Sequence, residues 1–270
     1  MTTPIRIYPA TEPAGSKPTG SAPAPATPQR PGLVWLHGGG FAGGDLDMPE
    51  ADHVARTLAA AGITVASVDY RLAVDGIHFP VPLDDVLAAW AQVWAQRAQL
   101  GIDHLAIGGA SAGANLAAAA ALQLADAATA PDLVVLAYPT LLAVQPAPGA
   151  ALRAALDADP AADRFGPAVV RGMYENYLGT PAEEAPVAAA PALATAADLH
   201  AYPRTLIVDA EVDELSVSAE VFAQTLRDAG RDIGLVVQAG TDHGFLNRPE
   251  RPGAADALAL IAERLNGLTT

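Results

Sequence analysis

Leu105-Ala106-Ile107-Gly108-Gly109-Ala110-Ser111-Ala112-Gly113-Ala114-Asn115-Leu116 is the stretch that decides how this chain reads. It spells an apolar strand, a tight turn and the start of an alanine-rich helix, with Gly109-Ala110-Ser111-Ala112-Gly113 at the apex. A Gly-x-Ser-x-Gly pattern puts a serine on a sharp strand-to-helix turn, where its hydroxyl is pushed out above the sheet. Glycine is needed on both sides because a side chain there would collide with neighbouring backbone. The helix that follows brings unpaired N–H groups under the reacting atom. In a chain with 24 glycines the pattern also fits an ordinary glycine-rich turn, so its flanks carry the reading. The strand Leu105–Ile107 before it and the helix from Ala112 to about Ala125 after it are what such an elbow requires.

Working outward, strands and helices alternate. Ile5–Tyr8 has the alternation of an edge strand, and residues 9–32 form a Pro/Ala-rich loop. A strand at Leu33–Leu36 runs into His37-Gly38-Gly39-Gly40-Phe41-Ala42-Gly43-Gly44. A helix at Asp52–Ala61, a strand at Ile63–Val68 and a helix at Leu83–Leu100, with Trp90 and Trp94 as a core stripe, lead to the elbow. Leu133–Ala137 is the next strand. After a break come the strand Thr205–Val208, the helix Val217–Asp228, the strand Ile233–Gln238 and the helix Ala254–Leu265. This order predicts an α/β class: one domain over residues 1–270, a mostly parallel wound sheet with helices on both faces. The break, residues 140–199, holds one clear helix, Pro167–Leu178, and reads as a small helical cap insertion.

Composition narrows the function classes. With 30 acidic and 15 basic residues the net charge is −15, a field that repels phosphates, so no nucleic-acid partner is expected. Cysteine is absent, which removes disulfides and thiolate metal sites. No signal peptide is visible at the N-terminus, and the run Ala117–Leu122 is too short to span a bilayer. The expectation is a cytoplasmic protein without membrane insertion; the sequence leaves the oligomeric state open.

A serine hydroxyl is a poor nucleophile until a base takes its proton, and the base needs an acid to set its tautomer. In wound-sheet hydrolases these partners follow in the order Ser, Asp/Glu, His, on loops past later strands. Here Asp209-Ala210-Glu211-Val212-Asp213-Glu214 follows one such strand, and Gly240-Thr241-Asp242-His243-Gly244-Phe245 follows the next. Of the six histidines only His243 ends the last strand. Asp213 is the expected acid and Glu214 the fallback; the other acidic side chains of that loop are expected to be solvated. The N–H of Ala112 and those of the glycine run after Leu36 would serve a developing oxyanion.

Together these motifs resemble the hormone-sensitive-lipase-like esterases of the α/β-hydrolase superfamily. His37-Gly38-Gly39-Gly40 is similar to that family's oxyanion motif, Val68-Asp69-Tyr70-Arg71-Leu72 to a strand ending, and Phe79-Pro80 with Asp84-Asp85-Val86 to the stretch beyond it. Gly109–Gly113 matches the elbow, Asp213 the acid, His243-Gly244-Phe245 the base loop, and Glu175–Gly179 a lid segment. The resemblance implies an α/β-hydrolase fold, catalytic Ser111, Asp213 and His243, and oxyanion donors Gly39, Gly40 and Ala112. It implies no cofactor and no metal. Ala110 and Glu214 depart from the family, which usually has an acidic residue and a proline there. The family also carries further elements ahead of Ile5, so a reduced cap and short acyl chains are expected.

The reading is a carboxylic-ester hydrolase acting on a small-molecule ester. An amidase or peptidase would use the same three residues, and a non-catalytic relative would have lost turnover. A different class, dinucleotide binding, is suggested by Gly38–Gly43, a literal G-x-G-x-x-G after a strand. Against it, Asp45, Asp47, Pro49 and Glu50 stand between the glycines and the helix, where a pyrophosphate would lie.

Overall fold

The computed structural model describes residues 3–11 and 30–269; most of the expected Pro/Ala-rich loop, residues 12–29, lies outside the described residues. Among the described residues seven strands, β1 (Ile5–Tyr8), β2 (Pro31–Leu36), β3 (Thr64–Val68), β4 (His104–Ala110), β5 (Val134–Ala137), β6 (Thr205–Val212) and β7 (Ile233–Asp242), form one sheet. Their order is β1-β3-β2-β4-β5-β6-β7, parallel throughout except β1, which runs antiparallel to β3 at the edge. This is the mostly parallel wound sheet that the alternation foretold, in the α/β-hydrolase fold that the family resemblance implies.

Among the described residues seven α-helices accompany the sheet: α1 (Pro49–Ala60), α2 (Val81–Gln96), α3 (Ala112–Leu124), α4 (Ala150–Ala158), α5 (Pro167–Leu178), α6 (Ser216–Asp228) and α7 (Ala254–Asn266). Alternate residues of each strand serve opposite faces. Val34 and Leu36 join Ile107 and Leu136 under α2, α3 and α6, whereas Leu33 and Trp35 join Ala106 and Val135 under α1 and α7. Burial on both faces is why the central strands read as unbroken apolar runs. α3 is buried from Ala112 through Ala121, and alanine lets it lie close against β4 and β5.

Several boundaries differ from the sequence reading. β2 starts at Pro31, inside the expected loop, because Pro31 and Gly32 pair alongside His104 and Leu105. β4 runs on to Ala110, directly into the elbow. α1 starts at Pro49, so Pro49 and Glu50 belong to its first turn rather than to a preceding loop. Between β5 and β6 a second helix, α4, joins the expected α5. Only Leu156 of α4 is buried. α5 buries Val170, Tyr174 and Tyr177 against the face that holds α3.

Candidate active site

Ser111 is the single residue between β4 and α3, and its backbone takes φ 52° and ψ −116°. A non-glycine residue there is strained by roughly 1–3 kcal/mol and is held only by its surroundings. Its N–H donates to the Ala137 carbonyl at 2.9 Å, and its own carbonyl accepts the Asn115 N–H at 3.1 Å. The flanking glycines are required by close approach. A Cβ on Gly109 would stand 2.6 Å from the Gly113 carbonyl, and one on Gly113 would stand 2.3 Å from the carbonyl oxygens of Leu36 and His37. The elbow is therefore pressed against the end of β2, next to the glycine turn.

Across the rim, Ser111 Oγ lies 2.9 Å from His243 Nε2, and His243 Nδ1 lies 2.6 Å from Asp213 Oδ2. The other Asp213 oxygen accepts the Leu215 N–H at 3.0 Å. All three side chains are buried, Ser111 and His243 at 7% exposure and Asp213 at 0%. With Nδ1–H donating to the carboxylate, Nε2 is left as an acceptor for the serine hydroxyl proton. The arrangement is a hydroxyl, an imidazole and a carboxylate hydrogen-bonded in series, delivered by the ends of β4, β7 and β6.

The acidic loop differs from expectation in one respect. Asp209, expected to be solvated, is 1% exposed; Glu214, the fallback acid, is also buried, at 2%. β6 continues through Val212, so Asp209 lies within the sheet rather than beyond it. Burial, and then the Asp213 charge, push the Asp209 carboxyl well above the usual carboxylate range. Glu214 accepts the Phe165 N–H at 2.9 Å, and burial followed by the nearby Asp163 raises its carboxyl too. Asp213 is the carboxylate bonded to His243. Glu211, on the surface, accepts the Gly240 N–H.

The glycine turn after β2 closes on itself: the N–H groups of Ala42 and Gly43 donate to the Gly39 carbonyl. Gly39 and Gly40 have φ of +121° and +61°, and a Cβ on Gly39 would lie 2.1 Å from the Gly43 carbonyl. Ala112 opens α3, so its N–H has no partner within the helix. Gly39, Gly40, Ser111, His243, Phe165 and Glu50 are among the residues lining an open cavity of about 560 Å³. No helix follows the glycines until Pro49, and the Gly38 N–H is taken by Glu50 Oε1 at 2.7 Å. Among the described residues no group of three or more His, Asp or Glu is placed to hold a metal ion.

The structure brings in residues that the sequence did not single out. Phe165, just before α5, packs on the His243 ring with centroids 4.3 Å apart, and the Tyr138 ring meets it edge-on at 5.0 Å. Arg164 donates to the His243 carbonyl at 2.8 Å, and Arg248 donates to the same oxygen and to the Asp242 carboxylate. Burial alone would raise the Asp242 carboxyl, but the Arg248 bond and charge outweigh it and hold it low. Tyr138 lay one residue past a strand end, a position that could have flagged it. Phe165 had no such signal. Of the remaining histidines, His37 is buried and stacks on Tyr70 at 4.4 Å, while His53, His78, His104 and His200 lie on other elements and none lines the cavity.

A family model described as alpha/beta hydrolase fold matches residues 33–247. An ethyl acetate hydrolase of Pseudomonas putida is 33% identical over 245 residues, 86% of this chain and 72% of that protein. Carboxylesterase NlhH of Mycobacterium tuberculosis is 35% identical over 225 residues, 80% of this chain and 67% of that protein. Among solved structures, brefeldin A esterase, described as a bacterial homologue of human hormone-sensitive lipase, superposes with a TM-score of 0.76 at 27% identity. That match covers 92% of this chain and 71% of the other. No helix among the described residues is long and apolar enough to cross a membrane.

Proposed function

Because this chain belongs to the α/β-hydrolase family, and within it to the hormone-sensitive-lipase-like esterases, we propose that its carboxylesterase chemistry runs through Ser111, His243 and Asp213. Ser111 Oγ attacks the ester carbonyl carbon as its proton passes to His243 Nε2. The carbonyl π pair moves onto oxygen, and the tetrahedral oxyanion is received by the N–H groups of Gly39, Gly40 and Ala112. Collapse expels the alcohol, which takes the proton from His243, and leaves an acyl-serine. Water then repeats the sequence, releasing the acid and restoring the hydroxyl. Asp213 keeps the imidazole in one tautomer and offsets its charge when protonated.

The observation that carries this reading is the unbroken series Ser111–His243–Asp213 at 2.9 and 2.6 Å, on the rim that also holds the glycine turn. The substrate proposed is an ester of short to medium acyl chain. The cavity of about 560 Å³ is narrowed by Phe165 over the base and suits a small ester. Residues 140–199 are proposed to act as the cap, since Arg164 and Phe165 come from that segment to cover His243. The protein is proposed to work in the cytoplasm, a reading that rests on its sequence alone.

The test joins covalent labelling to a chain-length series. An organophosphate should add one stoichiometric adduct at Ser111, and nitrophenyl esters should be cleaved faster as acetate or butyrate than as laurate. No label at Ser111 in an active protein would overturn the nucleophile assignment; a preference for laurate would overturn the chain-length assignment. Nitroanilides of the same acids distinguish amidase action.

A further inference from the structure

A carboxylate that plays no part in the acyl-transfer steps is built into the same rim. Glu50, in the first turn of α1, is 2% exposed, and every polar group it has is engaged. Oε1 accepts the Gly38 N–H at 2.7 Å and Oε2 accepts the Tyr138 hydroxyl at 2.8 Å. Its backbone N–H donates to Asn247 Oδ1 at 3.2 Å, and its carbonyl accepts the Trp35 indole N–H at 2.7 Å. These partners come from four different parts of the frame: β2, the glycine turn, the residue after β5, and the short turn following His243. A buried carboxylate held by two neutral donors is costly to bury, so its place needs a reason beyond packing.

Its position supplies one. The peptide between His37 and Gly38 is held at both ends, its carbonyl by the Tyr70 hydroxyl at 2.7 Å and its N–H by Glu50. It directly precedes Gly39, so a rotation of this peptide would swing the next N–H groups away from a developing oxyanion. On the other flank Tyr138, at φ 35°, sets its ring against His243, and its hydroxyl is tied to Glu50. One side chain therefore spans the turn that would receive the oxyanion and the wall against which the base rests.

We propose that Glu50 is a positioning residue for ester hydrolysis: through the Gly38 N–H and the Tyr138 hydroxyl it fixes the oxyanion turn relative to His243. This rests on the serine-esterase reading above. It acts on geometry in the transition state and leaves ground-state binding of the ester unchanged.

The experiment compares wild type with Glu50→Gln, Glu50→Ala and Tyr138→Phe. It measures kcat and KM for 4-nitrophenyl acetate, the inhibition constant of an alkyl trifluoromethyl ketone, which adds to the serine and leaves an oxyanion, and thermal melts. Glu50→Ala should lower kcat about 100-fold with KM within about threefold, and ketone affinity should fall in step with kcat/KM. Glu50→Gln keeps an acceptor for Gly38 and should recover to within about tenfold of wild type; Tyr138→Phe should lose about five- to tenfold in kcat. If Glu50→Ala does not fold, Glu50→Gln and Tyr138→Phe decide alone. The proposal fails if folded variants keep wild-type kcat, if KM rises while kcat holds, or if Gln does no better than Ala. Wild type that escapes labelling at Ser111 would sink the esterase reading itself. Labelled wild type with unaffected Glu50 variants would sink only this proposal.

Discussion

Phe165 lies against the imidazole of His243, ring centroids 4.3 Å apart, although they are 78 positions apart in the chain. It is anchored there by its own N–H, which Glu214 accepts, while its neighbour Arg164 holds the His243 carbonyl. The imidazole is thereby confined between Phe165 and the edge of the Tyr138 ring. Replacing Phe165 with alanine should lower kcat/KM for 4-nitrophenyl acetate by about tenfold and narrow the disadvantage of longer esters, because it frees the ring and widens the cavity together. Phe165 is only half-buried, so the melting temperature should move by a few degrees at most. Rates across a chain-length series check this.

The two neighbouring carboxylates of the acid loop should separate cleanly. Asp213→Asn should cut kcat by about 10⁴, since an amide in that place favours the wrong imidazole tautomer. Glu214→Gln should cost less than about tenfold, because Glu214 contacts the Phe165 backbone rather than His243. Equal losses in kcat for the two variants would show that the roles are assigned wrongly.

Gly39→Ala should leave a stable fold only by distorting the turn, as its Cβ would meet the Gly43 carbonyl at 2.1 Å. The expected outcome is a loss in kcat of about 10²–10³, the cost of a misplaced oxyanion donor. Gly40→Ala meets only the flexible end of Met173 at 3.3 Å, but Gly40 also sits at φ +61°, so it should lose activity to a smaller degree. The ranking of the two kcat values is the measurement.

Asp209 makes the stability of the fold depend on pH. Its carboxyl is raised in the folded state by burial and by the Asp213 charge. The unfolded chain therefore releases this proton first, from about pH 4. Between there and the raised folded value the native state holds more protons, so this group's contribution makes stability fall as pH rises. Asp209→Asn removes that cost. Its melting temperature should exceed that of wild type at pH 8, and the gap should shrink towards pH 4; a gap that widened on acidification would overturn the account.

What the amino-acid order determined by itself was everything local. The period-2 apolar strands, the glycines that a tight elbow demands and the sequence of Ser111, Asp213 and His243 along the chain all follow from short-range sterics and burial, and these leave a readable pattern. The wound parallel sheet was legible for that reason, as was α5, whose apolar face is regular, while the esterase family was legible through the resemblance of the linked motifs. The start of β2 was not, because Pro31 and Gly32 become strand only through pairing with β4 and, at Gly32, with β3. Asp209 looked solvated because a carboxylate carries no mark of its depth until the sheet closes around it. Glu50 and Phe165 are fixed at the rim by contacts that include residues distant in sequence, Tyr138 and Asn247 for one and His243 for the other. Those contacts depend on how helices and loops are set on the sheet, and that setting is a property of the folded whole.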